Sequence, residues 1–308
     1  MTNPAIFVHD LVKTYNGLTA LKAISLEINR GEQFGLIGPD GAGKTSLIRI
    51  LCALTSFDSG TAMVGGNDLK KHVRRIRSSV GYMPQRFSLY PDLSVEENLR
   101  FYADLFGVSI RDRTSRLDEL LEFSRLTPFL KRSAGKLSGG MKQKLALACT
   151  LIHQPEILFL DEPTTGVDPL SRHEFWQLLE RLNEQGITLF VTTAYMEEAA
   201  NCDRVALMAD GNILEVDSPD DIGSKYPHQL FEIVTGVPFE TASVLEKLPG
   251  VLSVQIFGGS VHLAVDRTQA PPEIRENLHQ AGIEMSQIRP IEPTIEDVFV
   301  EKLTTVSA

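Results

Sequence analysis

Apolar and polar residues alternate along the start of the chain, as is typical of half-buried β-strands. The alternation predicts strands over 6–15, 21–28 and 33–37, separated by turns at Asn16-Gly17 and at 29–31. After the third strand and a glycine-rich segment, apolar residues recur every three or four positions over 47–54. This succession predicts a strand, a loop and a helix.

The pattern becomes helical in the middle of the chain and then alternates again. Apolar residues spaced three and four apart predict helices over 99–106 and 117–126, within an inserted helical lobe of about 88–153. Strands are predicted over 157–160, 187–192 and 205–208, with a helix over 172–183. This order predicts an α/β first domain over 1–224.

A second, smaller domain is predicted over 225–308. Strands are expected over 230–234, 251–256, 261–265 and 285–291, with helices over 241–248 and 272–280. The order βαββαβ is typical of a ferredoxin-like α+β domain.

Composition and charge narrow the possible functions. With 43% hydrophobic and 23% charged residues, the chain has globular composition, and its 30 Lys+Arg against 40 Asp+Glu give a net charge of −10. Phosphate-backbone binding usually needs a basic surplus, so nucleic acid is not an expected partner. The apolar stretches are much shorter than the ~20 residues that span a bilayer, which predicts a soluble, cytoplasmic chain. Three widely spaced cysteines, Cys52, Cys149 and Cys202, are expected to be reduced core residues.

The glycine-rich segment carries the strongest chemical signal. Residues 38–45 fit the pattern G-x-x-x-x-G-K-[ST] between a predicted strand and a predicted helix, as a phosphate-binding loop requires. Lys44 is expected at the β- and γ-phosphates, and the Thr45 hydroxyl at Mg²⁺. The predicted nucleotide-binding residues of the loop are Gly38, Asp40, Gly41, Ala42, Gly43, Lys44, Thr45 and Ser46.

Two carboxylates end the apolar strand over 157–160. Asp161 is placed to hold Mg²⁺, and Glu162 projects one residue further, toward a water aligned on the γ-phosphate. Alone, the pair could equally be an acidic turn. The phosphate loop upstream favours the functional interpretation.

A third segment, Ser138-Gly139-Gly140, precedes a predicted helix. Ser138 can cap that helix while the glycines expose N–H groups at its positive end, which would make a second anion site. Any helix could begin in this way, so the segment alone is a weak signal.

Together and in this order, the three motifs resemble the ATP-binding subunit of ATP-binding-cassette (ABC) transporters over residues 5–224. The resemblance implies a P-loop NTPase core of ABC type, with a β-rich entry and an inserted helical lobe, that binds ATP and Mg²⁺. It also implies a dimer in which Ser138, Gly139 and Gly140 contact the ATP held by the opposite subunit.

Three further residues match motifs of this family. Tyr15 corresponds to the aromatic that stacks on adenine, although it could equally pack on the surface. Gln85 corresponds to the glutamine that senses Mg²⁺ and the attacking water. Asp168 corresponds to a loop that communicates between the two sites of a dimer, and before Pro169 it could also begin a helix.

The resemblance also suggests partners. In this family the segment 85–99 and the helical lobe meet integral membrane permease subunits, where Phe87, Leu89, Tyr90 and Leu93 could contribute apolar contact or pack between lobes. Residues 293–300 resemble the ending of bacterial drug-exporter ATPases whose membrane partners are of ABC-2 type, and could otherwise be an amphipathic terminal helix. The implied location is the cytoplasmic face of the membrane. The alternatives are a soluble ABC ATPase that does not transport, and a regulatory subunit with low turnover.

Three positions depart from the family pattern. Asp40 stands where asparagine is common, Met141 where glutamine is usual, and Ala194 where the family has its switch histidine. A methyl group cannot hydrogen-bond the γ-phosphate or align Glu162 and the water. Ala194 therefore favours a heterodimer in which a different ATP-binding subunit supplies the fast site, with a homodimer as the alternative.

Overall fold

The computed structural model describes residues 3–86, 89–266 and 271–307. The chain divides into two compact units, Met1–Pro219 and Asp220–Ala308. The domain boundary expected between 224 and 225 stays a prediction. The strands and helices are, in chain order, β1 (Ile6–Tyr15), β2 (Leu18–Ile28), β3 (Gln33–Ile37), α1 (Lys44–Leu51), β4 (Ser59–Val64), β5 (Asn67–Asp68), α2 (Val73–Ser79), β6 (Val80–Met83), α3 (Val95–Leu105), α4 (Ile110–Ser124), α5 (Gly139–Thr150), β7 (Ile157–Asp161), α6 (Pro169–Glu184), β8 (Thr188–Thr193), β9 (Arg204–Ala209), β10 (Asn212–Asp217), α7 (Pro219–Ser224), β11 (Gln229–Thr235), α8 (Pro238–Leu245), β12 (Val251–Phe257), β13 (Ser260–Val265), α9 (Pro271–Gln280), β14 (Met285–Pro290) and α10 (Ile295–Ser307).

A six-stranded sheet forms the centre of the first unit. Its order is β10-β9-β3-β8-β7-β6, and every neighbouring pair is parallel except β10 with β9. All residues of β3, β7 and β8 are buried, as expected for parallel strands covered on both faces. The loops that follow β3, β7 and β8 therefore meet at one edge of the sheet.

A four-stranded antiparallel sheet of order β2-β1-β4-β5 confirms the β-rich entry. Strand β2 begins at Leu18, three residues before the predicted start. Asn16 and Gly17 both have positive φ, so a two-residue turn lets Tyr15 pair with Leu18 directly. Leu18 is 74% exposed. A prediction that relies on buried apolar positions therefore misses this end of the strand.

The helical lobe contains α3, α4 and α5, and one buried amide fixes the chain that enters it. The Asn98 side chain is fully buried. Its Oδ1 accepts from the Tyr90 N–H at 3.0 Å, and its Nδ2 donates to the carbonyls of Tyr90, Leu93 and Ser94 at 3.0, 3.2 and 3.0 Å. A single side chain thus bonds to four backbone groups of the segment that leads into α3.

The second unit has the predicted ferredoxin-like topology. Its antiparallel sheet has the order β12-β13-β11-β14. Val261, Leu263 and Val265 alternate along β13 and pack with Ile274 and Leu278 of α9. Helix α10 follows the sheet, and Asp297 in its first turn accepts from the Thr294 N–H at 2.8 Å.

The three cysteines are free and buried, as predicted. Burial raises the pKa of each thiol, so these side chains behave as small apolar core residues. None of the helices described here combines the length and the apolar content that a bilayer crossing requires.

We predict that Asn98→Ala lowers the free energy of unfolding by about 1–3 kcal/mol, because the Tyr90 N–H loses its hydrogen-bond partner while the carbonyls of Tyr90, Leu93 and Ser94 each keep a backbone donor. Chemical denaturation measures this loss. Asn212→Ala is the control, since the Asn212 amide makes a single 3.2 Å bond to the Asp210 carbonyl in a turn. Equal losses in the two variants would contradict the role of Asn98.

Candidate nucleotide site

The backbone of the phosphate loop lies close to its neighbours. A Cβ atom at Gly38 would lie 2.1 Å from the Met208 carbonyl oxygen, so this position excludes any side chain. Gly43 has φ of 110°, a conformation that L side chains rarely adopt, and it directly precedes α1. These two glycines let the loop turn tightly onto the positive end of a helix.

Lys44 lies inside the loop rather than in solvent. Its side chain is 4% exposed, and its Nζ donates to the carbonyls of Gly38 at 2.7 Å and Pro39 at 3.0 Å. The same Nζ lies 3.1 Å from Glu162 Oε1, whose side chain is 7% exposed. The loop thus presents one buried cation, held by its own carbonyls and by a carboxylate from the end of β7.

Asp161 is surrounded by hydroxyl groups. Its Oδ1 accepts from Thr45 Oγ1 at 3.0 Å and from Thr192 Oγ1 at 2.9 Å, and Tyr82 lies 3.5 Å from its Oδ2. Burial raises the pKa of the Asp161 carboxyl, while the hydrogen bonds from Thr192 and Thr45 act in the opposite direction. Burial and the nearby Asp161 raise the pKa of Tyr82 to about 12, so this phenol remains a donor.

These oxygen atoms fit a magnesium ion. Mg²⁺ prefers oxygen ligands and usually binds through one or two protein groups together with substrate phosphates. The Thr45 hydroxyl and the Asp161 carboxylate supply such a pair, 3.0 Å apart. Within the described ranges, the protein has no cluster of three acidic, histidine or cysteine side chains that would hold a metal alone. The donor set therefore fits Mg²⁺ bound together with a nucleotide.

Glu162 adopts a left-handed backbone conformation, with φ of 48°. Its Oε2 accepts from Gln85 Nε2 at 2.7 Å and from Thr165 Oγ1 at 3.3 Å. Its N–H donates to the Thr192 carbonyl at 3.1 Å and to Thr192 Oγ1 at 3.0 Å. The Glu162 carboxylate is thus held by side chains from two loops, and its backbone by the end of β8.

A cavity of about 230 Å³ lies beside these groups. Its lining residues are Ala20, Asp40, Gly41, Ala42, Gly43, Lys44, Thr45, Ser46, Gln85 and Glu162. The structure therefore brings most of the predicted loop together with Gln85 and Glu162, although these segments are far apart in sequence.

Ser138, Asp168 and Tyr15, which the sequence also predicted, do not line this cavity. Ser138 is exposed and caps α5, accepting from the Met141 N–H at 3.3 Å. Asp168 caps α6, and the Ser171 N–H, which donates to it at 2.9 Å, lowers its pKa. Tyr15 is 40% exposed, and Lys13 Nζ lies 5.0 Å from its ring centroid.

Position 194, where the resemblance expects a switch residue, directly follows β8. Ala194 is exposed, and the adjacent Tyr195 packs its ring against the Arg172 guanidinium at 4.2 Å. Thr192, two residues earlier, bonds to both carboxylate residues and escaped the sequence prediction, because a threonine in an apolar strand is an ordinary strand former. Its position directly beside Asp161 in the sheet register is the signal that could have found it.

The sequence matches the ABC transporter family over residues 21–165 and the C-terminal domain family of DrrA1-3-like ATP-binding proteins over residues 218–303. It is 37% identical to the Nod factor export ATP-binding protein I of Rhizobium etli, across 96% of this chain and 92% of that protein. The chain belongs to the ABC transporter ATP-binding family.

Other relatives and solved structures agree with this assignment. The cassette is 34% identical to the daunorubicin resistance ATP-binding protein DrrA2 of Streptomyces coeruleorubidus, across 97% of this chain and 95% of that protein. It is 41% identical to the probable multidrug ABC transporter ATP-binding protein YbhF of Escherichia coli, of which it spans about half the length, 53%.

Solved cassettes share the fold of the first unit. The dimeric, ADP- and phosphate-bound cassette MJ0796 superposes with a TM-score of 0.64 at 28% identity, over 69% of this chain and 98% of that chain. CbiO1 from Clostridium perfringens, part of an ABC transporter complex, superposes with a TM-score of 0.68 at 25% identity, over 80% of this chain and 96% of that chain. The predicted fold class is confirmed.

We predict that Gly140→Ala destabilises the nucleotide-free cassette by about 1–3 kcal/mol, as overpacking does. A Cβ at Gly140 would lie 2.5 Å from both Cβ and Oγ of Ser171 on α6. At Gly139 the nearest atom would be the Gly166 carbonyl oxygen at 3.7 Å, so Gly139→Ala is the matched control for unfolding. The double variant Gly140→Ala/Ser171→Gly should recover most of the loss; no recovery would show that the contact with Ser171 is not the cause.

Proposed function

We propose that this cassette binds ATP with Mg²⁺ and hydrolyses it to power an exporter whose membrane subunits are of ABC-2 type. The observation that carries the proposal is the convergence of Lys44, Asp161, Glu162 and Gln85 at one edge of the parallel sheet. The relatives named for drug resistance and Nod factor export support the transport part.

Each site residue has a chemical task in this proposal. Lys44 supplies positive charge to the β- and γ-phosphates, and the loop N–H groups donate to phosphate oxygens. Thr45 and Asp161 would hold Mg²⁺, with Gln85 close to them, and the bound ion would supply positive charge to the phosphates. Glu162 orients and deprotonates the attacking water, and Gln85 keeps its carboxylate in place.

Dimer closure completes the site. ATP on one phosphate loop is covered by Ser138, Gly139 and Gly140 of a second subunit, and hydrolysis reopens the pair. Gly140 packs against Ser171 of α6, and Asp168 caps the same helix. Helix α6 therefore connects the segment 138–140, which would contact the opposite nucleotide, with the loop that contains Asp168. Tyr15 would stack on adenine from the edge of the first unit.

Exposed rings on the helical lobe support contact with a permease on the cytoplasmic face of the membrane. Tyr90 is 47% exposed and Phe101 37% exposed, and their ring centroids lie 4.7 Å apart. Leu89 is buried and Leu93 half-buried, so these two pack within the lobe. Phe87, also predicted at this contact, lies outside the described residues.

Ala194 favours an asymmetric pair of ATP-binding subunits. The site on this chain has a methyl group where a donor would meet the γ-phosphate, so we infer that it binds ATP and turns over slowly. A homodimer would carry this defect in both sites and a heterodimer in one. The serine and glycines at 138–140 would then complete the intact site of the other subunit.

The binding and hydrolysis parts of the proposal are tested separately by Lys44→Ala and Glu162→Gln. Lys44→Ala should nearly abolish ATP binding, because the phosphates lose their fixed cation and Glu162 loses its buried counter-charge. Glu162→Gln should keep ATP binding, slow hydrolysis and accumulate closed dimers. Equilibrium binding of a fluorescent ATP analogue and steady-state ATPase rates measure the two effects. Unchanged affinity in Lys44→Ala, or parental turnover in Glu162→Gln, would overturn the respective role.

The asymmetric pair is tested by Ala194→His in the purified chain. A restored donor should raise turnover by about 10²-fold, since a positioned catalytic donor is typically worth 10²–10³ in rate. Ala194→Leu, which adds bulk without a donor, should stay at the parental rate, and Tyr195→Phe reports whether the neighbouring hydroxyl takes over. Full activity of the parent chain alone, unchanged by Ala194→His, would contradict the asymmetric pair.

A further inference from the structure

The hydroxyl of Thr192 joins the two carboxylate residues of the site. Thr192 lies at the carboxyl end of β8 and is fully buried. Its Oγ1 donates to Asp161 Oδ1 at 2.9 Å and accepts from the Glu162 N–H at 3.0 Å. The Thr192 side chain therefore bonds to the carboxylate of Asp161, the proposed metal ligand, and to the backbone N–H of Glu162, the proposed base.

Both contacts stabilise an arrangement that is unfavourable by itself: the buried carboxylate of Asp161 and the backbone conformation of Glu162. Asp161 is buried, and an ionised buried carboxylate is costly unless it is hydrogen-bonded. Glu162 has a φ of 48°, and a residue other than glycine keeps such a sparsely populated backbone conformation only when the surrounding structure holds it there. The Thr192 hydroxyl and carbonyl both accept from the Glu162 N–H, and so fix the backbone from which the Glu162 side chain extends.

The register of the sheet places this hydroxyl, and the neighbouring threonines of β8 do not share its contacts. Asp161 of β7 pairs with Thr192 in the parallel ladder. The hydroxyl of Thr193 accepts from the Tyr195 N–H at 3.0 Å. The hydroxyl of Thr188 accepts from the Gly31 N–H at 2.9 Å, at the opposite end of the strand. Only one of these three positions faces the acidic pair.

We propose that Thr192 is a positioning residue that holds Asp161 and Glu162 in their working geometry at the same time. This inference rests on the proposed ATPase function, because it assigns both carboxylates the tasks given above. The Thr192 hydroxyl is the side-chain group of β8 that bonds to both residues of the acidic pair. Groups that orient a metal ligand are typically worth 10–100-fold in metal affinity or activity.

The test compares three single variants of the full chain. Thr192→Val keeps the shape of the side chain and removes its hydroxyl, whereas Thr192→Ser keeps the hydroxyl and removes the methyl group. Thr188→Val is the control, because it removes a threonine hydroxyl at the opposite end of β8. We expect Thr192→Val to lower kcat by about 10–100-fold with a change in KM for ATP of less than about threefold. Thr192→Ser should stay within about threefold of the parent, and Thr188→Val should lose stability without losing kcat.

A second readout does not depend on turnover. Mn²⁺ binding to the ATP complex, followed by its paramagnetic resonance signal, should be about 10–100-fold weaker in Thr192→Val and nearly parental in Thr192→Ser. Parental Mn²⁺ affinity in Thr192→Val, or equal losses in the Val and Ser variants, would overturn the inference while leaving the ATPase proposal intact. A parent chain that binds no ATP would overturn both.

Discussion

The ion pair between Lys44 and Glu162 is the constraint on which the rest of the site depends. Both side chains are nearly inaccessible, and their charged atoms lie 3.1 Å apart. A buried charge is tolerated only when it is paired and its remaining hydrogen-bonding atoms are satisfied. The Gly38 and Pro39 carbonyls take the other bonds of Lys44, and Gln85 takes one oxygen of Glu162. The loop carbonyls and the Gln85 amide together meet this requirement.

The same requirement links the site to the helical lobe. Gln85 belongs to the segment between β6 and α3, and its amide is bonded to Glu162 at 2.7 Å. Further along the same segment, the buried Asn98 in the first turn of α3 donates to the carbonyls of Tyr90 and Ser94. A displacement of Glu162 would therefore act directly on Gln85, which lies in the segment that leads to the lobe with the exposed Tyr90 and Phe101. Such a connection is what coupling between nucleotide chemistry and a membrane partner would need.

Local patterns predicted the features that depend on one segment at a time. The phosphate loop, the strand that ends in Asp161 and the βαββαβ order of the second unit follow from turn chemistry and from periods of two and 3.6 residues. Features that depend on two distant segments escaped prediction. Thr192 acquires its role only when β8 lies beside β7, and Gly140 only when α5 packs on Ser171. The predicted helix over 241–248 begins instead at Pro238, where proline at the first helical position opens α8.

The replacement at position 194 leaves the resting geometry of the acidic pair in place. Glu162 is held by Lys44, Gln85 and Thr165 through its side chain and by Thr192 through its backbone, and none of these contacts passes through Ala194. We therefore expect a histidine at this position to add a contact to the reacting phosphate rather than to the contacts that hold Glu162. Interactions made only in the transition state raise turnover, whereas those present throughout raise affinity. On this reasoning, the proposed effect of the alanine is slow hydrolysis with ATP binding retained, and the proposed contribution of such a subunit to a dimer is closure on bound nucleotide.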